Sequence, residues 1–361
     1  MSITPIRAPK GLANVVIAET TISDVRPEGK LIFRGHTIQE LVEQPFEEVA
    51  ALVVGCDAAK LNEALRSAAN LTAAETAQVL SLPRTLHPMR MLQGMVPLLE
   101  DVAIGDESDQ YLGPEFSEVN QGVHVAAKLP AVVATHLMGQ AVVMDQSATY
   151  IERFLKAIGT ELTRANLHAC NVTQILQLEH SLNAGTFAAR VVASTKAGVA
   201  SAMAAGLGAL SGPLHGGADQ AALEIVDALE PDQVKAYVDE ILSTGGRVPG
   251  MGHREYRVRD PRALYLEEIA DTLSMGTEHR KAFEKLRLLD TTFRAEMDKR
   301  GKEVHANVEF YKGLVYRMLG LPNEFFTAGF AMARVFGYLA HFVENSEDNK
   351  IYRPQAMYVG A

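Results

Sequence analysis

The sequence is poor in cysteine, which limits the kinds of site it can build. Only two cysteines, Cys56 and Cys170, occur among the 361 residues, and they lie far apart in the chain. Two distant cysteines provide neither a disulfide framework nor a thiolate metal site. We therefore expect two buried or idle thiols in a reducing compartment.

Positive charge is also scarce. The 34 Lys and Arg residues are outnumbered by 44 Asp and Glu residues, which gives a formal net charge of -10 and a pI near 5.6. This balance argues against a nucleic-acid-binding protein that works through bulk electrostatics. Any anionic partner would have to be bound by a local cluster of basic residues.

Uninterrupted apolar runs are missing as well. No continuous apolar segment follows the basic residues of the N-terminus, so a secretory signal is not expected. The most apolar stretch, residues 187–210, contains Arg190 and Lys196 and is rich in alanine. We predict that it forms a buried helix, at the centre of the fold or at a subunit interface, in a soluble cytoplasmic protein.

The familiar cofactor and metal motifs are absent. Gly206, Gly208 and Gly212 superficially suggest a dinucleotide-binding loop, but the spacing is wrong and no strand precedes them. There is no Walker loop, no Gly-x-Ser-x-Gly motif and no His-Glu-x-x-His motif. The sequence therefore predicts no resident cofactor and no metal ion.

The remaining pattern indicates a mainly α protein of two domains. Two short strands are expected around the turn at 26–29, as an N-terminal β-hairpin. Beyond them the sequence reads as helical. Thr37 and Glu40 form a capping-box pattern, which marks the start of a helix. Apolar residues then recur on one helical face, namely Phe46, Val49, Ala50 and Val53, followed by Leu61, Leu65 and Ala68.

Three histidines lie in unusual surroundings. His215 and His253 occur in turns rich in glycine and proline, where the backbone can approach a ligand. His180 can share a helix face with Asn183, three residues later. Each could be an ordinary hydrogen-bonded structural histidine, but two histidines in glycine turns favour ligand contact.

Basic residues cluster next to His253, where five arginines fall within sixteen residues. They are Arg247, Arg254, Arg257, Arg259 and Arg262. Such a cluster suits a polyanionic ligand because guanidinium groups bind carboxylates and phosphates through paired hydrogen bonds. The alternative is a solvated basic surface. A second basic group, which includes Lys302, precedes Glu309, the nearest candidate carboxylate base.

Taken in order, these segments resemble the citrate synthase family. The matching segments are residues 11–23, 31–35, 87–89, 182–195, 211–218, 249–254, 260–262, 307–311, 331–334 and 353–356. The resemblance implies an α-helical homodimer without a cofactor other than its coenzyme A thioester substrate. It also implies a large domain, 1–215 with 316–361, and a small mobile domain, 216–315, that closes over CoA.

The activity implied by the resemblance is the transferase reaction of the tricarboxylic acid cycle, in which acetyl-CoA condenses with oxaloacetate and citryl-CoA is hydrolysed. By resemblance, Glu309 is the base, His215 donates to the thioester oxygen, and His253 polarises the ketone of oxaloacetate. Substrate carboxylates would be bound by His180, Arg262, Arg334 and, from the partner subunit, Arg353. CoA would contact Arg257, Lys302, Val248, Gly250, Gly252 and Asn307.

The chain departs from the family at several of these places. Glu309 replaces the usual aspartate, Asp219 stands where asparagine is commoner, and His180 lies between Glu179 and Ser181 rather than between an aspartate and a glutamate. Arg90 also stands where aspartate is usual. Two alternatives to citrate synthase stay open: a 2-methylcitrate synthase that uses propionyl-CoA, and a family member that binds CoA or a dicarboxylate with little or no turnover.

Overall fold

The computed structural model describes residues 6–99 and 117–360, and it is mainly α-helical, as predicted. The helices of these two ranges are labelled in chain order. They are α1 (Ile38–Leu41), α2 (Phe46–Val54), α3 (Ala58–Ser67), α4 (Ala73–Ser81), α5 (Pro88–Met95), α6 (Ser117–Met138), α7 (Tyr150–Ala157), α8 (Arg164–Ile175), α9 (Ala184–Ala193), α10 (Val199–Leu210), α11 (Ala218–Ala228), α12 (Val234–Ser243), α13 (Pro261–Ser274), α14 (Arg280–Asp298), α15 (Val308–Met318) and α16 (Phe326–Glu347).

The predicted hairpin is confirmed, although its first strand is shorter than the apolar segment 15–25 that precedes the turn. Strand β1 (Ser23–Arg26) pairs antiparallel with β2 (Lys30–Phe33) across the Pro/Gly turn. A third strand, β3 (His36–Thr37), extends the sheet on the other side of β2. Residues 15–22 form no strand, although the Ile22 carbonyl oxygen accepts a hydrogen bond of 2.9 Å from Arg34 N. The strand begins at Ser23, whose side chain is buried.

The first helices form as their sequence pattern predicts. Thr37 and Glu40 make the capping box at the start of α1. In α2 the apolar face is buried throughout, with Phe46, Val49 and Val53 at most 1% exposed. Burying three such side chains stabilises the fold by about 1.5–3 kcal/mol each.

The alanine-rich stretch is buried, but the prediction of one helix was wrong. It forms two helices, α9 and α10, separated by residues 194–198, where Lys196 adopts a φ of 61°. The small residues do allow close packing: a Cβ atom on Gly206 would lie 2.6 Å from the ring of Tyr338 on α16. The two helices pack against each other and against α16.

Helix α16 is the central helix of the core. The segment Asn323–Glu347 is long and apolar enough to cross a membrane, but 94% of its most apolar window is buried inside the protein. This burial is typical of the core helix of a globular protein. Helices α11 to α15 pack mainly on one another, and α13 and α15 also contact α8, which joins them to the rest of the fold.

Candidate active site

The three singled-out histidines all lie where one helix ends and the next begins. His180 lies in the connection between α8 and α9, His215 between α10 and α11, and His253 between α12 and α13. At these positions the side chains point out of irregular backbone, beside Ser181 with a φ of 50° and Gly252 with a φ of 89°. Loops on a helical scaffold are common carriers of functional groups.

Two of these histidines contact the same tyrosine. The hydroxyl group of Tyr256 lies 3.1 Å from His180 Nε2, and its ring centroid lies 4.5 Å from that of His253. The rings of His180 and His253 are 5.2 Å apart. Tyr256 itself is only 3% exposed. The three rings therefore form one packed group that joins the α8–α9 connection to the α12–α13 connection.

The hydrogen bonds of His253 fix its tautomer. Its Nδ1 atom accepts from the backbone N–H groups of Glu255 and Tyr256, each at 3.1 Å. Burial, together with the nearby Arg262, lowers the pKa of His253 to about 4. The imidazole is therefore neutral at pH 7 and carries its proton on Nε2, so it can donate a hydrogen bond to a ligand oxygen.

His215 is also neutral, but its proton is already engaged. Burial and then Arg334 lower its pKa to about 4. Its Nε2 atom lies 3.2 Å from Asn183 Oδ1, which also accepts from the N–H groups of Gly185 and Thr186 at the start of α9. Because Asn183 Oδ1 is an acceptor, His215 Nε2 must be the donor. Donation from this atom to a ligand requires that the bond to Asn183 be exchanged.

The two arginines of the site are buried but differ in their partners. Arg262 is 3% exposed and is paired with Asp260 through two hydrogen bonds of 3.0 and 2.9 Å. Arg334 is 1% exposed, donates to the Gln177 carbonyl oxygen at 2.7 Å and lies over the ring of Phe330. Within the described ranges no carboxylate lies within 4.0 Å of the Arg334 guanidinium. A buried cation without a carboxylate is costly, so the site is built to receive an anion.

Asp260 ties the start of α13 to the start of α15. It caps α13 and accepts a hydrogen bond of 3.1 Å from the Val308 N–H group. This places Glu309, the next residue, close to the Arg262 side chain. Glu309 is 6% exposed and forms an ion pair of 2.8 Å with Lys312, one turn further along α15.

The glycine turn at 248–252 is held by backbone contacts to the segment before α15. Gly252 N donates to His305 O at 2.7 Å, and Asn307 N donates to Gly250 O at 2.9 Å. A Cβ atom on Gly250, with φ of 76°, would lie 2.9 Å from the Phe310 Cα atom. Glycine is therefore required here by both conformation and space.

The family model described as "Citrate synthase, C-terminal domain" matches residues 11–355. The chain belongs to the citrate synthase family. A citrate synthase of Synechocystis sp. is 33% identical to it, over 97% of this chain and 90% of the relative. A 2-methylcitrate synthase of Corynebacterium glutamicum is also 33% identical, over 97% of this chain and 94% of the relative.

Solved citrate synthase structures have the same fold. The chain superposes with a TM-score of 0.89, at 28% identity, on citrate synthase of Thermoplasma acidophilum in a ternary complex with carboxymethyl coenzyme A and oxaloacetate. The match covers 98% of this chain and 96% of that one. The citrate synthase of Thermotoga maritima gives a TM-score of 0.85 at 28% identity, with 98% and 96% covered. The family assignment and the all-α fold that the sequence predicts are thus confirmed, and the chain is an acyltransferase-type enzyme.

Six of the residues that the family resemblance singled out converge on one region. His180, His253 and Arg262 are joined by contacts to Tyr256 or to one another, with the Arg262 and His253 side chains 3.5 Å apart. His215 and Glu309 are coupled electrostatically to Arg334. The seventh, Arg353, lies in the C-terminal segment, is exposed, and bonds only to the neighbouring Pro354 carbonyl oxygen among the described residues.

The residues expected at CoA are of two kinds. Arg257 and Lys302 are exposed and can reach a ligand. Val248 and Gly250 are buried, and Gly252 is partly exposed. They support the turn, as does Asn307, which lies at the N-cap of α15. The Asn307 side chain accepts from Glu309 N and donates to Gly252 O, so both of its polar atoms are already used.

Glu179 turns away from the histidine group. It is fully buried, and its Oε1 atom accepts hydrogen bonds from Ser23 and His341 at 3.1 and 3.0 Å. His341 in turn contacts Arg190 at 2.9 Å. The acidic neighbour of His180 thus anchors the α8–α9 connection to β1 and α16.

Sequence reasoning missed two residues of the site, Tyr256 and Lys312. Tyr256 lies within the arginine cluster, three residues after His253, and nothing in the pattern of charges indicates a role for its aromatic ring. Lys312 was overlooked because a lysine on a helix is usually solvated, yet this one is fully buried. Its i+3 spacing from Glu309 was the available signal.

Both cysteines are free thiols, as predicted. Burial raises the pKa of Cys56 to about 11 and that of Cys170 to about 12. Both are therefore protonated at neutral pH and are poor nucleophiles. In residues 6–99 and 117–360, no three His, Cys, Asp or Glu side chains are grouped closely enough to bind a metal ion.

Proposed function

We propose that this enzyme condenses acetyl-CoA with oxaloacetate and then hydrolyses citryl-CoA to citrate and CoA, as in the tricarboxylic acid cycle. The observation that carries the proposal is the pair of buried arginines, Arg262 and Arg334, beside neutral histidines. Arg334 has no carboxylate within ion-pair distance among the described residues. Two guanidinium groups and His180 suit the two carboxylates of oxaloacetate.

The proton and electron movements follow from the protonation states. Glu309, as the carboxylate, removes a proton from the acetyl methyl group, and His215 donates a hydrogen bond to the thioester oxygen as the enol forms. The enol carbon attacks the ketone carbon of oxaloacetate. The developing alkoxide takes a proton from His253 Nε2, which the tautomer derived above makes available. Before the next turnover His253 regains a proton from solvent, and Glu309 releases to solvent the proton that it took from the methyl group. Water then cleaves the thioester and releases CoA.

A raised pKa suits Glu309 for this role. Burial and the nearby Asp219 raise it to about 7, against the opposing effect of Lys312. A base whose pKa lies near the working pH combines a useful ionised fraction with the strongest affinity for the proton. The same carboxyl group on the protein surface would be a far weaker base.

Propionyl-CoA is the second candidate substrate, which would make the enzyme a 2-methylcitrate synthase. The relative from Corynebacterium glutamicum that carries this name is as similar as the citrate synthase of Synechocystis sp., at 33% identity each. The two substrates differ by one methylene, which is worth about 1–3 kcal/mol in an apolar pocket. Acyl preference therefore has to be measured.

We also propose the division into a large domain, 1–215 with 316–361, and a small domain, 216–315. In support, the site draws its residues from both: His180 and Arg334 from the first, His253, Arg262 and Glu309 from the second. Closure of the small domain would exclude water until condensation is complete. CoA phosphates would bind at the exposed Arg257 and Lys302.

A homodimer in the cytoplasm completes the proposal. Arg353 is exposed at the C-terminal segment, which also exposes Met357, Tyr358 and Val359 at 73%, 84% and 87%. An arginine that its own chain does not bury is free to complete the site of a partner subunit. Dimerisation would then be needed for full activity.

The test is CoA release from oxaloacetate with acetyl-CoA or propionyl-CoA. We expect release with wild type, kcat/KM about 10-fold to 200-fold higher for the preferred thioester, and loss of release in Glu309→Gln. If wild type releases no CoA with either thioester but binds CoA, the protein is a binding member of the family. Release that Glu309→Gln leaves unchanged would rule out Glu309 as the base.

A further inference from the structure

A buried lysine bridges two carboxylates at the start of α15 and α11. The Lys312 Nζ atom lies 2.8 Å from Glu309 Oε2 and 3.2 Å from Asp219 Oδ2, and the Lys312 side chain is 0% exposed. Asp219 is likewise fully buried. The cluster therefore holds two acidic groups and one ammonium group away from solvent.

We propose that Lys312 is a positioning residue for the base: its ammonium group holds the Glu309 carboxylate against α15 and offsets the charge of Asp219, so that Glu309 can be ionised. This inference rests on the proposed role of Glu309. It goes beyond that role because Lys312 and Asp219 touch no reacting atom in the proposed chemistry: both act on Glu309, and the charge of Lys312 also contributes to keeping His215 neutral.

The geometry explains how glutamate serves where the family usually has aspartate. The extra methylene lengthens the reach of the side chain by about 1.5 Å. Lys312 is three residues after Glu309, so the two side chains meet along the surface of the helix. The ion pair of 2.8 Å with Lys312 therefore holds the longer side chain along α15 rather than leaving it extended.

The ammonium group is itself held in place. Lys312 Nζ lies 4.2 Å from the centroid of the Phe330 ring, and the Arg334 guanidinium carbon lies 4.6 Å from the same centroid. A desolvated cation is attracted by the negative face of an aromatic ring. Phe330 thus fixes both cations and, through Lys312, the position of Glu309.

The charge balance explains why Lys312 is needed. Two buried carboxylates in contact cannot both ionise without compensation. Burial raises the pKa of Asp219 as well as that of Glu309, and Lys312 opposes both shifts. The other charged groups that act on Glu309 are Arg262 on α13 and Arg334 on α16.

The other titratable groups near the cluster, among the residues that the structure describes, are neutral or bonded elsewhere. His215, just before α11, is neutral because burial lowers its pKa to about 4. Tyr316, on the same helix, is buried and stays protonated because burial raises its pKa. On α14, Asp290 accepts from the Tyr311 hydroxyl group rather than facing Glu309. Lys312 is thus the one ammonium group paired with Glu309 among the described residues.

The direct test is the titration of the Glu309 carboxyl group, followed by NMR of protein labelled with carbon-13 at the glutamate carboxyl carbon and assigned with Glu309→Gln. The wild-type midpoint is expected at about 7. Lys312→Met should raise the midpoint by about 1–3 units, because an opposite charge is lost. Asp219→Asn should lower it, because a like charge is lost, and the double variant should return towards wild type.

The pH dependence of kcat/KM for CoA release provides the second readout. Glu309 acts as a base when deprotonated, so activity falls as the pH drops below its pKa. The acid limb should move to higher pH in Lys312→Met and to lower pH in Asp219→Asn. A lysine that only supported the fold would lower the rate at every pH without moving the limb.

The matched control is Lys128, a second buried lysine paired with a glutamate, Glu75, at 2.6 Å. Lys128→Met should leave both the Glu309 midpoint and the acid limb in place. The proposal is overturned if Lys312→Met leaves the midpoint unchanged or lowers it. Should Lys312→Met not fold, Asp219→Asn and the double variant still decide.

The two proposals can fail separately. If wild type releases no CoA while the midpoint shifts as expected, the proposed reaction is wrong and the Lys312 inference stands as a property of the cluster. If CoA is released but Lys312→Met does not raise the Glu309 midpoint, the proposed reaction stands and the Lys312 inference fails.

Discussion

Two buried lysine–glutamate pairs in this protein have the same chemistry but different surroundings. Lys128 on α6 pairs with Glu75 on α4, whose other carboxylate oxygen accepts from the Thr72 N–H group at 2.7 Å in a capping box. Lys312 pairs with Glu309 and also forms an ion pair with a second carboxylate, that of Asp219.

The first pair is balanced, with one charge of each sign and a backbone donor for the spare oxygen. The second is unbalanced, with two carboxylates for one ammonium group. A balanced buried pair joins elements of the fold, whereas an unbalanced one leaves a carboxyl group poised between its two protonation states. The number of charges around a buried ion pair thus distinguishes a structural pair from a candidate catalytic one.

The largest effects are expected from Glu309→Gln, which should lower kcat, and from Glu75→Gln, which should lower the free energy of unfolding. Loss of a general base lowers the rate by about 10²–10⁴-fold, so Glu309→Gln should lose that factor in kcat while staying folded. Glu75→Gln should instead leave the lysine unpaired and cost about 3–5 kcal/mol of the free energy of unfolding. Steady-state kinetics and urea unfolding of both variants make the comparison.

The distinction between the two pairs fails if the glutamate that is needed for activity proves to be Glu75, or if the one that is needed for stability proves to be Glu309. A Glu75→Gln variant that is stable but inactive, or a Glu309→Gln variant that is active but unstable, would show that charge count does not distinguish the two pairs.

A smaller effect is expected at Arg334, the buried cation with no carboxylate in ion-pair range among the described residues. Arg334→Met should raise the KM for oxaloacetate by about 10–150-fold, because a charged hydrogen bond contributes about 1.5–3 kcal/mol. The same substitution should not lower the free energy of unfolding, since it removes an uncompensated buried charge. Titration with oxaloacetate and thermal unfolding measure the two quantities.

The control for Arg334 is Arg153, which is buried and bonded to the carbonyl oxygens of Ala148 and Leu65. Arg153→Met should leave the KM for oxaloacetate unchanged and reduce stability. If Arg334→Met binds oxaloacetate as wild type does, Arg334 does not hold a substrate carboxylate.

The smallest effect is a pH dependence of the wild-type enzyme. With the pKa of Glu309 raised to about 7, kcat/KM should decline about tenfold for each unit below that value and level off above it. His253 and His215, with a pKa of about 4 each, should not contribute to this limb. An acid limb centred near pH 4 would indicate that Glu309 is not the group that titrates.

Much of the fold could be predicted from local sequence. The hairpin turn and the capping box of Thr37 and Glu40 depend on neighbouring residues, and both form as predicted. The break between α9 and α10 could not be predicted from composition, because alanine favours helix on both sides of it. It depends on the left-handed conformation of Lys196 and on packing against α16.

The site was predictable as a set of residues but not as an arrangement. The sequence singles out His180, His253 and Arg262, yet the ring of Tyr256 that joins the two histidines is visible only in three dimensions. Lys312 and Asp219 lie on different helices, and their shared contact depends on how α11 packs against α15. The number of charged groups around Glu309 therefore cannot be read from the sequence, because Asp219 is distant from it in the chain.

The measurement that tests the central claim most directly is deuterium exchange into the methyl group of acetyl-CoA. The reaction is run in deuterium oxide with malate, a dicarboxylate that lacks the ketone, so that proton removal occurs without condensation. Wild type should incorporate deuterium, and Glu309→Gln should do so at least about 10²-fold more slowly. Equal incorporation by the two proteins would contradict the claim that Glu309 removes the proton.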